Sequence, residues 1–119
     1  MDYKELEVWQ RARAMVKEIH TISSQFPDSE RFSLTQQINR AAISIPSNIA
    51  EGSGRFHQND KIRFMYIARG SLFEMETQLY LALDLGYLSQ NTLTNLEEEI
   101  TSVKKLLNGF INYLKKDPQ

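Results

Sequence analysis

No cysteine occurs in the chain, which excludes disulfides, thiolate metal centres and cysteine nucleophiles together and suits a reducing cytoplasm. Long apolar runs are missing too. None approaches the roughly 20 residues of a membrane-spanning helix, so no membrane partner is expected. The opening residues, MDYKELEVWQ, lack a basic segment followed by an apolar stretch, so no signal peptide is read and a cytoplasmic protein is expected. Only three prolines and five glycines punctuate 119 residues, and no sustained period-two alternation marks a strand. A net charge of −1 argues against a generally basic nucleic-acid binder.

What remains is helical periodicity. The spacing predicts helices over about 6–24, 30–51, 59–86 and 90–115, within one domain spanning 1–119. Trp9, Ala12, Val16, Ile19 and Ile22 or Ser23 mark the first apolar stripe, and Leu34, Ile38, Ala41, Ile45 and Ile49 the second. Phe64, Ala68, Ser71, Leu72, Met75, Leu79 and Ala82 form the third. Leu93, Leu96, Ile100, Val103, Leu107, Phe110 and Leu114 run as a heptad seam in the fourth. Asp28 or Ser29 can cap the second helix, and Ser89 the fourth. Short connections favour an all-α, antiparallel, up-down-up-down four-helix bundle.

The stretch SIPSNIAEGSGRF, 44–56, interrupts this regularity. Pro46 removes a donor to the carbonyl of Ala42 and crowds it, at about 3 kcal/mol or more in a regular helix, so helix two is expected to be kinked or broken there. Because the Ile38–Ile45–Ile49 stripe stays in phase, the kink is preferred. Gly52-Ser53-Gly54 reads as a helix stop in the left-handed conformation. Arg40, Ser44, Asn48 and Glu51 fall in a row at steps of three and four, and they can form a polar network with Arg69 or Arg63 of helix three.

Catalytic patterns do not emerge. His20 and His57 are the two histidines, and neither stands three residues after a glutamate, as a di-iron bundle requires. Glu74 and Glu76 are two apart and cannot share a helix face. The glycines lack a Gly-x-Ser-x-Gly elbow and the following lysine of a phosphate loop. No enzyme, metal, cofactor or small-molecule substrate is expected.

Two features point to binding. Residues 31–70 carry six basic side chains against two acidic, while both flanking segments are acidic. Arg40, Arg55, Lys61, Arg63 and Arg69 are the candidate nucleic-acid or partner contacts, with Phe56 or Tyr66 available for stacking. Ile62, Tyr66, Phe73 and Tyr80 form a second apolar row on helix three, the candidate oligomer interface. A non-enzymatic oligomeric protein that scaffolds or binds RNA is the leading reading; a protein-binding adaptor without nucleic acid is the alternative.

Three stretches carry a family resemblance: LEVWQRA at 6–12, LTQQINRAAISIPSNIAEGSGR at 34–55 and FMYIARGSLFEMETQLYLALDLGYL at 64–88. Over about residues 5–115 the chain resembles the bacterial four-helix bundle proteins, also called 23S rRNA intervening-sequence proteins. The resemblance implies an antiparallel bundle assembled as a homopentamer, with no established enzymatic activity. It also implies kinship with the accessory variability proteins of diversity-generating retroelements, whose basic pentameric barrel engages reverse transcriptase and nucleic acid. With its net charge of −1, this chain is similar to the intervening-sequence branch. Pro46, Asn48, Glu51, Gly52, Arg55, Gly70, Ser71, Glu74 and Glu76 are the family's motif positions here.

Overall fold

The computed structural model describes residues 2–116. A 3-10 turn at Tyr3–Glu5 leads into α1 (Glu7–Ser23); a second, Asp28–Glu30, precedes α2 (Leu34–Ser53); α3 (Gln58–Asp84) and α4 (Gln90–Lys116) follow. Among the described residues there is no strand, and no helix is long and apolar enough to cross a membrane. The molecule measures 48 × 25 × 20 Å. Helices as long as α3 and α4 rise about 40 Å, so they lie along its length. The connections 54–57 and 85–89 are too short to return along that length, which makes α2, α3 and α4 successively antiparallel. Asn39, near the start of α2, donates to Ser23 at the end of α1 at 2.8 Å, so the first pair is antiparallel as well. Packing is most extensive between α2 and α3 and thinnest between α1 and α4.

The α2 and α3 stripes are buried as expected, apart from half-buried Leu34 and Ser71. In α1 the inward row is Val8, Ala12, Met15 and Ile19, while Trp9 and Val16 sit half-buried at the margin. Both rows share Ala12 and Ile19, and the indole goes outside, edge-on to Tyr3 at 5.2 Å and beneath Arg13 at 5.5 Å. In α4, Ile111 takes the inner place expected of Phe110. A straight helix drifts about 20° per heptad, enough to pass the seam to the next residue near its end.

Helix two corrects the sequence reading at its two ends and keeps the continuity preferred at Pro46. It begins at Leu34, not near residue 30: Glu30 ends a 3-10 turn and its carboxylate accepts from the Leu34 N–H at 3.3 Å, the role expected of Asp28 or Ser29. It is not broken at Pro46, because α2 continues through it with Ile45 and Ile49 fully buried on either side. It does not stop in the left-handed conformation, since Gly54 has φ −86°. Gly52 serves packing instead: a Cβ there would lie 2.6 Å from Phe64 Cβ and 2.7 Å from Met65 Cε, so its bare backbone lets α3 approach. The left-handed glycine is Gly86, φ 80°, after α3, where Tyr87 N–H bonds the Ala82 carbonyl at 2.9 Å and Gly86 N–H that of Leu83 at 3.0 Å. Ser89 does cap α4, its hydroxyl accepting from Thr92 N–H at 3.1 Å. Asn108-Gly109, a hairpin dipeptide elsewhere, lies inside α4 without ending it.

Candidate functional site

Helix α3 has a buried side and a bare one. Inward it presents Phe64, Met65, Ala68, Leu72, Met75, Leu79 and Ala82. Outward run two parallel rows at seven-residue spacing, Tyr66–Phe73–Tyr80 and Ile67–Glu74–Leu81. The aromatic row stays 37%, 48% and 46% exposed, and Ile67 and Leu81 are 44% and 47% exposed. Of the row expected at an interface, Ile62 is the departure: it is half-buried and packed on the core. Gly70 lies between the rows, one turn from Tyr66, Ile67, Phe73 and Glu74, and beyond its chain neighbours and its own helix backbone no atom lies within 4 Å of where its Cβ would be. A mid-helix glycine costs about 1 kcal/mol relative to alanine. Nothing within the described chain accounts for this one.

Cations from α3 and α4 line the aromatic row. Arg69 stands 4.7 Å from the Tyr66 ring and donates to Asn108 Oδ1 at 3.0 Å. Lys115 lies 5.3 Å from the same ring, and Lys104 lies 5.0 Å from Phe73. Lys104 donates to both Glu76 oxygens, at 2.9 and 3.0 Å. Burial, then hydrogen bonding and repulsion from Glu76, push the Glu97 carboxyl above its ordinary value, against the attraction of Lys104. Glu97 Oε1 is buried without a hydrogen-bond partner among the described residues.

The five basic candidates do not form one patch. Arg55 and Arg63 converge on Phe64, with Cζ 4.7 and 5.4 Å from its ring, and Arg55 also pairs with Glu51 at 3.3 Å. Lys61, at the same end, lines a cavity of about 160 Å³ with Met65, Phe110 and Tyr113. Phe56 stands 79% exposed beside them in sequence. Arg69 belongs to the α3–α4 side. Arg40 continues the α2 row of Ile43, Ser47 and Ala50, which faces α1. One basic stretch of sequence is dealt by the helices onto three sides.

The polar row of α2 is likewise divided. Asn48 Nδ2 donates to Ser44 carbonyl and hydroxyl, both at 2.8 Å, and Ser71 of α3 donates to the same hydroxyl at 2.8 Å. Glu51 is exposed and outside this network, Arg40 makes no side-chain hydrogen bond among the described residues, and Arg69 and Arg63 turn elsewhere. Glu74 and Glu76 part as their spacing requires: Glu76 meets Lys104, and Glu74 is exposed with no ion pair among the described residues.

A shallow groove between α1 and α2 was not foreseen as a site. Trp9, Arg13 and Val16 form one wall, Ile43, Pro46 and Ala50 the other, around about 340 Å³. The sequence does place Ile43 and Ala50 beside Pro46, but Trp9 and Val16 read equally well as core. Lys104, Asn108 and Lys115 were also missed, although their steps of four and seven share one side of α4. Among the described residues no three His, Cys, Asp or Glu side chains gather as metal ligands, and both imidazoles are exposed without hydrogen bonds.

Comparison with known proteins agrees with this architecture. No curated protein matches the chain. A solved structure, that of a protein of unknown function from the S23 ribosomal protein family of Bacteroides thetaiotaomicron, superposes with a TM-score of 0.80 at 24% identity, covering 87% of this chain and 97% of that one. The likeness establishes the fold. The family model of the 23S rRNA-intervening sequence protein matches residues 4–109. With nearly its whole length matched and the four-helix fold in place, the chain belongs to the 23S rRNA-intervening sequence protein family.

Proposed function

We propose that this chain is a non-enzymatic, cytoplasmic scaffold that assembles with copies of itself through the outward face of α3 and binds RNA along its repeated basic edges. The observation that carries the reading is the bare face itself: five large apolar residues in two rows around an unfilled glycine. Aromatic and arginine side chains are the composition of interface cores. The number of copies is five, as the resemblance to the bundle family implies. Light scattering across a range of concentrations tests it: a discrete multiple of the chain mass is expected, reduced to a single chain by Phe73→Asp. A wild-type monomer at tens of micromolar overturns the reading.

The RNA role is supported by the convergence of Arg55 and Arg63 on Phe64, with Lys61 and exposed Phe56 at the same end. Phosphate contacts release counterions, so binding to a structured RNA should weaken steeply between two salt concentrations. Binding that ignores salt, or none at all, leaves the adaptor reading, in which the same edge docks a polypeptide. Material copurifying from native cells separates the two: absorbance rich at 260 nm for RNA, a stoichiometric polypeptide for the adaptor.

A further inference from the structure

We infer that the cavity beside the α2–α3 turn holds one unpaired pyrimidine nucleotide, its ring inside and its phosphate on Lys61. This rests on the RNA reading and names the part of a strand that the edge selects. The cavity lies at an end of the bundle, apart from the aromatic row of α3. Its floor is the fully buried Met65, whose thioether adapts to the shape laid on it. Phe110 and Tyr113 line one side with rings 14° from parallel and centroids 6.2 Å apart, and Tyr3 adds a third ring. Phe110 is free for this wall because Ile111 takes its place in the core. The volume of about 160 Å³ matches the roughly 150 Å³ that takes a benzene ring in an apolar cavity. One six-membered base fits; the fused rings of a purine do not. Tyr113 is 56% exposed, so the cavity opens to solvent beside it and the sugar stays outside.

The polar groups of the cavity match what a pyrimidine nucleotide presents. Gln58 Nε2 donates to the Leu114 carbonyl at 3.1 Å, which leaves the amide oxygen as an acceptor with no donor among the described residues. Uracil and cytosine each carry an N–H donor on the pairing edge, and only an unpaired base has that edge free. Lys61 lines the cavity half-buried, and among the described residues it makes no ion pair and no side-chain hydrogen bond, although Asp60 precedes it. An ammonium partly withdrawn from water beside aromatic walls calls for an anion. The nucleotide's own phosphate supplies one. Arg63 and Arg55, the latter offset by Glu51, converge on Phe64, the neighbour of Met65, and extend the positive charge toward adjoining phosphates.

The full chain is titrated at one salt concentration with labelled oligouridylate, with oligoadenylate of equal length and with a duplex. One seated base should favour the uridine strand about tenfold over the other two. Uridine strands are also the more flexible, so two variants isolate the cavity. Ser53→Leu fills it from the end of α2, and Phe110→Leu removes a ring from its wall. Each, at unchanged helicity, should erase the preference and leave the adenosine strand bound as before. Uridine and adenosine strands bound alike by the wild type, or a preference that survives in either variant, overturns the inference while the RNA reading stands. Free uridine and adenosine monophosphates form the second arm, read on the Met65 methyl signal by NMR. The uridine nucleotide should shift it and the adenosine one should not, and Lys61→Ala should weaken the response. That shift without binding of any strand keeps the inference, with a free nucleotide as the ligand, and removes the RNA reading. Neither shift nor strand binding removes both.

Discussion

An alanine at position 52 would set its Cβ against Phe64 and Met65 at 2.6 and 2.7 Å, inside any real contact distance. Overpacking of this kind costs about 1–3 kcal/mol, and Gly52→Ala should lower stability to urea by that amount. Gly109 is the control. It too is helical, but nothing lies within 4 Å of its missing Cβ, so Gly109→Ala should raise stability by up to about 1 kcal/mol. Opposite signs at two helical glycines would confirm that packing, not helix stopping, explains Gly52. Two carboxyls likewise act in opposite senses. The Tyr87 hydroxyl donates to Glu30 at 2.7 Å and, with the Leu34 N–H, holds that carboxyl below its ordinary value. Its contribution is present above the ordinary carboxylate range and lost as pH falls through the lowered value. Burial and Glu76 raise Glu97, so the folded chain binds more protons there than the unfolded one, and stability falls as pH rises through the raised value. Thermal melts across pH should show Tyr87→Phe weakening the chain at neutral pH and flattening its acid limb. Glu97→Gln should remove the fall toward neutral pH.

Between elements, the α2–α3 contact holds most of the packing and a small polar cluster. Ser71→Ala removes the bond to Ser44 and should cost about 1 kcal/mol in denaturant unfolding, typical of a single hydrogen bond. Glu51→Ala removes an exposed pair and should stay within about 0.5 kcal/mol of wild type. The sequence does not separate these residues, because a row at steps of three and four says only that they share a side of α2. Whether α3 or water covers each depends on how the two helices are rotated. The same limit explains the exchange of Trp9 for Val8 in α1 and of Phe110 for Ile111 in α4. Helix number, order and the inner stripes of α2 and α3 were legible, since apolar residues recur there in phase at steps of three and four. Gly52 was not: its reason lies in Phe64 and Met65, on another helix. The aromatic row of α3 was legible as surplus to one bundle, but the groove was not, because its walls come from two helices.

At the scale of the whole molecule, Arg69, Lys104 and Lys115 line the aromatic row, but Arg55 and Arg63 converge on Phe64 apart from it, so assembly and the RNA contacts of that pair can be separated by mutation. The Arg55–Arg63 pair sits at the α2–α3 turn, away from Phe73 in the middle of α3. An Arg55→Ala, Arg63→Ala double variant keeps the face of α3 and should keep the assembled mass. Removing two cations from phosphates should lower the salt slope of RNA binding by about two, with affinity reduced across sequences rather than for one. Phe73→Asp keeps both arginines yet should weaken affinity more than the double variant does. One edge holds few cations, and the avidity of several edges on one RNA vanishes when the copies separate. Binding curves at two salt concentrations, with light scattering on the same samples, read both quantities. If Phe73→Asp dissociates the assembly and leaves RNA affinity unchanged, binding belongs to the single chain and the repeated edge has no part in it.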